Sequence, residues 1–148
     1  MKRWMAWTTT AALMTAGASA SLAHEGAHEG MHGGHDGPAR GVWFEEPKDG
    51  ATVSREFEVK MRVAGMTVRK AGEIVPGTGH FHIIVDGGCV KKGEVVAKDA
   101  THMHFGKGQK ETTLSLEPGT HALSLQLADG HHVSYGKDWC QTIHVTVK

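Results

Sequence analysis

Glu56-Phe57-Glu58-Val59-Lys60-Met61-Arg62-Val63 alternates apolar and charged residues without a fault. Successive side chains of an extended strand point to opposite faces, so Phe57, Val59, Met61 and Val63 make one apolar face and the charged residues the other. That is the pattern of a half-buried strand in an antiparallel sheet. Shorter runs repeat it: Thr112 to Leu116 turns Leu114 and Leu116 inward, His121 to Ala128 turns Leu123, Leu125 and Leu127 inward, and Gln141 to Val147 buries Ile143, Val145 and Val147 while His144 faces out. Val42 to Glu46 predicts a first strand, stopped by Pro47 and the turn Lys48-Asp49-Gly50. Between the runs stand Pro76-Gly77, Gly106-Lys107-Gly108-Gln109, Glu117-Pro118-Gly119-Thr120 and Asp129-Gly130-His131-His132, which predict turns and loops, and Gly65 to Gly79 is a looser segment. No helical period emerges. The chain is therefore expected to be all-β, a small antiparallel sandwich of about seven strands, with an up-and-down barrel as the alternative.

Histidine changes the picture at two places. Gly79-His80-Phe81-His82-Ile83-Ile84-Val85-Asp86 puts His80 and His82 on one face of a strand and Phe81, Ile83 and Val85 on the other; Thr101-His102-Met103-His104-Phe105-Gly106 repeats the His-x-His motif. Two imidazoles one residue apart on a strand stand roughly 6.5 to 7 Å apart at Cα, and both rings can bend onto one ion at metal–nitrogen distances of about 2.0 to 2.1 Å. His80, His82, His102 and His104 are the candidate metal ligands, with His132 or His131 as a loop-borne addition. The bland alternative packs Phe81, Met103 and Phe105 in the core and leaves the histidines solvated or hydrogen-bonded outside. Asp86 and Glu111 are candidates to accept hydrogen bonds from ligand rings, and equally plain surface charges. Met61 and Met66 read as packing residues, and His121 and His144, each alone on a strand, carry no site.

The amino-terminal stretch reads as an export signal: Lys2 and Arg3, a short mostly apolar run from Trp4 to Ala16, then small-residue cleavage sites at Ala18-Ser19-Ala20 and Ser21-Leu22-Ala23. The alternative is a retained amphipathic anchor; the run is too short to span a bilayer. Residues 24–40 follow as a His/Gly-rich tail, expected to be disordered without a ligand because it has no apolar period to bury. His24, His28, His32 and His35, with Met31, offer imidazole and thioether donors suited to copper, or to zinc and nickel through imidazole alone. The bland alternative is a solubilising linker. Cleavage after Ala23 would make His24 the amino terminus, whose α-amine and ring resemble the copper-binding histidine brace of secreted copper proteins. The β-domain is then 41–148, enough for one domain.

Cys89 and Cys140 are the only cysteines. In an exported protein a disulfide is the first expectation and a pair of soft metal ligands the second. The chain carries 16 basic and 16 acidic residues, and loss of Lys2 and Arg3 with the leader leaves a formal charge of −2. Nothing in that balance recommends nucleic acid as a partner. No G-x-x-x-x-G-K-[ST] loop, G-x-S-x-G elbow or H-E-x-x-H helix is present, which removes the sequence grounds for an NTPase, a serine hydrolase or a zincin.

Several motifs together resemble a family of short secreted bacterial proteins that carries a domain of unknown function. They are Pro47-Lys48-Asp49-Gly50, Gly77-Thr78-Gly79-His80-Phe81-His82 leading to Val85-Asp86, His104-Phe105-Gly106-Lys107-Gly108-Gln109, Leu116-Glu117-Pro118-Gly119-Thr120-His121, and His132-Val133 before the last strand. The resemblance implies an immunoglobulin-like sandwich with a His-lined face, and no reaction. The cysteine pair and the His-rich leader look like additions to the shared pattern.

The function these features suggest is a periplasmic or secreted metal-binding protein, copper first and zinc second, that captures or hands on ions through the His-lined face and the tail, with a periplasmic donor or acceptor protein as its partner. The alternatives are a small copper or non-haem metal oxidase, for which no carboxylate is obviously placed, and a structural or adhesive sandwich without metal.

Overall fold

The computed structural model describes residues 37–148. The expected leader (1–23), His24, His28, His32 and His35 lie outside the described residues. In chain order the strands are β1 (Gly41–Glu46), β2 (Thr52–Val53), β3 (Glu56–Ala64), β4 (Thr67–Val68), β5 (Thr78–Val85), β6 (His102–His104), β7 (Glu111–Ser115), β8 (Gly119–Ala128) and β9 (Cys140–Val147), with a short 3-10 turn at Lys137–Trp139.

Two sheets face each other. β1, β3 and β7 form the smaller, fully antiparallel one, and the larger runs β2-β9-β8-β5-β4, with β6 also paired to β5. The long strands are antiparallel, as the alternation requires, while the two-residue strands β2 and β4 pair in parallel with β9 and β5. Phe57, Val59 and Met61 of β3, with Val42 and Phe44 of β1 and Leu114 of β7, meet Phe81, Ile83 and Val85 of β5, the three leucines of β8 and Ile143, Val145 and Val147 of β9. Phe105 and Trp139 complete this core, and Met66 and Met103 pack at its margin. An all-β sandwich of two sheets is the observed fold.

The strand that matters for chemistry departs from the simple alternation. β5 has β8 along one edge and both β4 and β6 along the other, so its backbone is paired on both sides. Its second face, His80, His82 and Ile84, is as buried as the first. The reason is the connection from β5 to β6, residues 86–101, which folds back over the outside of the larger sheet instead of running into solvent. Ser124 Oγ donates to the Gly87 carbonyl at 2.7 Å, Ser134 Oγ donates to the Val90 carbonyl at 2.9 Å, and the Val96 amide donates to the His132 carbonyl at 2.9 Å.

A disulfide between Cys89 and Cys140 pins this cover to β9, with Cα atoms 5.9 Å apart and a sequence separation of 51. That resolves the choice left open by the sequence: the sulfurs are bonded to each other and not offered to a metal. Closing a loop of that length removes denatured-state entropy worth roughly 4 kcal/mol in the chain-entropy treatment. Under the cover Gln126 is fully buried and fully satisfied. Its Oε1 accepts from the Val90 amide at 3.1 Å, and its Nε2 donates to the carbonyls of Leu127, Gly136 and Trp139 at 3.1 to 3.2 Å.

Candidate metal centre

Four of the sequence candidates come together. His80 and His82 project from β5 onto its covered face, and antiparallel pairing sets His104 of β6 directly beside His82. Across the other edge of β5, His80 is in register with Ala128, the last residue of β8, whose methyl group takes little of the space beside the ring. Immediately after Ala128 the chain turns and delivers His132. The ring centroids of His80, His82, His104 and His132 lie 4.6 to 5.8 Å apart in all six pairings. One nitrogen from each ring can be chosen so that all four lie within 4.8 Å of one another. Nitrogens about 2.05 Å from a common tetrahedral ion are about 3.3 Å apart, so modest ring rotations separate the observed cluster from a closed coordination shell.

The turn that supplies His132 is fixed by its own hydrogen bonds. The Asp129 carboxylate accepts from the amides of His131 and Val133 at 2.8 and 2.9 Å, and the Asp129 carbonyl accepts from the His132 amide at 3.0 Å. His132 itself sits at φ 69°, in the left-handed region, which costs a non-glycine residue about 1 kcal/mol or more and persists only where its surroundings over-determine it. Gly130 in the same turn packs against the chain at Glu73: a Cβ there would lie 2.0 Å from the Glu73 carbonyl oxygen.

Burial sets the protonation state. Desolvation, reinforced by His104 and His132, pushes His80 down to about 4 from its ordinary 6.5, with Asp129 partly opposing. Desolvation again, then His80 and His104, pushes His82 down to about 3. His104 is lowered as well, by burial first and then by His132 and Lys98. These rings are neutral at physiological pH, the state in which imidazole offers a lone pair to a metal.

The ring nitrogens of His80 and His82 are buried without a hydrogen-bond partner among the described residues. A buried polar atom left unpaired costs about 1 to 3 kcal/mol, and native structures contain few of them without a reason. Gln126, on the same face, shows that the surrounding backbone can satisfy a buried side chain completely. His104 Nε2 and His132 Nε2 stand 3.0 Å apart, a contact in which one ring donates its N–H to the lone pair of the other. One nitrogen each of His80 and His82 lies within 4.8 Å of a nitrogen of every other ring in the cluster, where a metal ion would pair it.

His102 is not brought in. Its Nδ1 donates to Asp99 Oδ1 at 2.8 Å, and the same oxygen accepts from the His102 amide and from the amide and hydroxyl of Thr101. With so many donors on one carboxylate, Asp99 is held well below the usual carboxylate range, the His102 and Thr101 side chains being the largest causes. His131 is exposed on the turn. Asp86 accepts from His121 Nδ1 at 2.9 Å and Glu111 lies 3.9 Å from Arg62, so neither serves a ring of the cluster. His144 is exposed on β9, near Asp49.

What the sequence did not suggest is the setting of the site. A pocket of about 300 Å³ opens onto the cluster, lined by His82, His104 and His132 together with Val95, Val96, Ala97 and Lys98 of the covering segment. Gly106, after His104, also proves to be a steric requirement: a Cβ on it would stand 2.1 Å from His104 Cε1 and 2.4 Å from Nε2. Gly106→Ala should therefore drive the His104 ring from its place. The expected result is a metal affinity reduced about 10- to 100-fold with the far-ultraviolet circular dichroism of the metal-free protein unchanged.

An X-ray structure of the endo-β-1,4-mannanase from Thermotoga petrophila shares 18% sequence identity with this chain at a TM-score of 0.45, over 77% of this chain and 21% of the enzyme. The two structures diverge too far for the likeness to carry an argument, and the chain spans about a fifth of the enzyme's length. No curated protein matches the chain. The family model described as a domain of unknown function, DUF4399, matches residues 59–148, the greater part of the chain and the part that holds all four clustered histidines, and the protein belongs to that family.

Proposed function

We propose that this protein is an exported metal-binding protein that holds one transition-metal ion, copper first and zinc second, between His80, His82, His104 and His132. The observation that carries the proposal is the pair of buried imidazoles whose ring nitrogens have no partner and face two further imidazoles. An ion at the centre would pair one otherwise unpartnered nitrogen on each of the two buried rings. Four neutral nitrogens without thiolate or carboxylate suit copper, zinc or nickel; copper stands first because divalent copper binds a given nitrogen site more tightly than zinc, and zinc second because the near-tetrahedral disposition suits it.

The leader-like first residues and the disulfide support the periplasm or the exterior as the place of action, where thiols oxidise and stay oxidised. In this proposal His24, His28, His32 and His35 gather ions and the folded centre retains them or passes them to an acceptor protein. Untagged full-length protein and a variant with those tail histidines changed to alanine should both retain one equivalent of metal after gel filtration, by elemental analysis. At an ion concentration ~1,000 times Kd the bound ion adds about 4 kcal/mol, so a strong chelator should lower the melting temperature by ~10 °C or more. A tail variant that carries no metal and melts identically with and without chelator would reduce the protein to a structural sandwich.

A further inference from the structure

We infer that the centre takes, besides its four histidines, a small anion from solvent, which enters through the pocket beneath the covering segment and is held by Lys98 as well as by the metal. The inference rests on the metal reading above and goes beyond it by assigning the centre an exogenous ligand, its chemical class and its route.

Three observations carry it. The first is access. The pocket is lined by His82, His104 and His132 and not by His80, so a molecule within it meets the cluster from the side that His80 leaves free. His82, itself only 1% exposed and without a hydrogen-bond partner, forms part of the pocket wall. The second is charge. All four candidate ligands are imidazoles, which bring no negative charge, and neither carboxylate nor cysteine joins them among the described residues. A divalent ion would keep its whole charge in a partly desolvated place, and a charge of that kind attracts a counter-anion strongly. Asp129, the acid whose charge His80 feels, is already bound to the amides of its own turn.

The third is the wall itself. Lys98 brings an ammonium group to the pocket, where it adds to the positive potential and depresses the basicity of His104. Val95, Val96 and Ala97 offer only apolar surface beside it, and Val95 is 66% exposed, so the mouth is open to solvent. One cation, one metal face and an apolar wall select a small monovalent anion with an apolar body, such as a short aliphatic carboxylate, over a polyvalent one such as sulfate, which would leave charge against the valines.

Full-length protein loaded with one equivalent of divalent copper can be titrated with azide, with butyrate and with sulfate, following visible absorption and electron paramagnetic resonance. Azide should produce a saturable charge-transfer band, butyrate should displace it, and sulfate should fail to do so at the same concentration. Lys98→Gln should weaken azide about three- to tenfold, and Ala97→Phe, which fills the pocket, should abolish the band. Copper bound at one equivalent with a spectrum indifferent to azide would overturn the anion site and leave the metal centre standing. An azide band untouched by both substitutions would likewise overturn it, because the ligand would be entering elsewhere. Failure to retain copper at all would remove both proposals.

Discussion

His80→Ala combined with His82→Ala is expected to lower the affinity of the folded domain for the proposed metal at least ~100-fold, because it removes half of a four-nitrogen shell when even the loss of an outer supporting contact commonly costs 10- to 100-fold. His144→Ala, on an exposed face of β9, changes the affinity by about twofold or less. His102→Ala behaves like His144→Ala and unlike His104→Ala, because Asp99 holds the His102 ring outside the cluster. Competition against a chromophoric chelator, in a background with the four tail histidines replaced, measures all of these. Equal losses at 80/82, 102 and 144 would mean that binding is diffuse surface chelation. Metal-free stability supplies an independent check. In the double variant a cavity cost of about 2 to 4 kcal/mol is opposed by relief of unpaired nitrogens worth about 1 to 3 kcal/mol each. The melting temperature without metal should therefore not fall in the double variant, since the four unpaired nitrogens removed outweigh or match the cavity.

Acidification destabilises the metal-free protein through the same two rings, in a window set by their basicity. His80 and His82 titrate near 4 and 3 in the folded state against an ordinary 6.5. Between those values the unfolded chain binds protons that the folded chain refuses, so stability is greatest above about pH 6.5 and falls as pH drops towards 4. Each unit of difference corresponds to about 1.4 kcal/mol, which amounts to a few kcal/mol per ring over the window. The partly exposed pair His121 and Asp86 works in the other sense. His121 is raised by its hydrogen bond to Asp86, so its contribution is present below pH 6.5 and is lost as pH rises through the folded value; Asp86 is lowered by the same bond, and its contribution is lost only in stronger acid. A solvent-screened pair of this kind is worth about 1 kcal/mol or less, so the buried rings decide the slope. Urea unfolding of chelator-treated protein at pH 7.5, 6 and 5 should show the midpoint falling steadily. The slope should be shallower in the double alanine variant, and a wild-type midpoint flat from pH 7.5 to 5 would contradict the burial of these rings.

The strands that carry the core were legible because their side chains alternate. β8 and β9 bury the residues that period 2 assigns to one face, β3 buries Phe57, Val59 and Met61 with Val63 only partly covered, and β7 buries Leu114. β2 and β4 were not legible, since two residues contain no period and exist as strands only by pairing with β9 and β5. The sandwich and the disulfide were foreseen, and so were all four residues of the cluster, His132 included. What the motif misjudged was the pairing of His102 with His104. Both sit on the same face of one short strand and no periodicity separates them; the local Asp99-Ala100-Thr101-His102 network claims one and leaves the other free.

By itself the sequence determined that this chain makes sheets, that two histidines share a face of β5, that Asp129 and Gly130 make a turn before His132, and that two cysteines are available to bridge. These are properties of neighbours along the chain, governed by strand geometry and turn chemistry. The tertiary structure alone decided that the His face of β5 is roofed over, that its ring nitrogens lose water without gaining a partner, and that residues 80, 82, 104 and 132 converge. Those outcomes depend on where residues 86–101 come to rest, and that is fixed by contacts to Ser124, Gln126, Ser134 and Cys140, each more than 30 residues away from its partner in the chain.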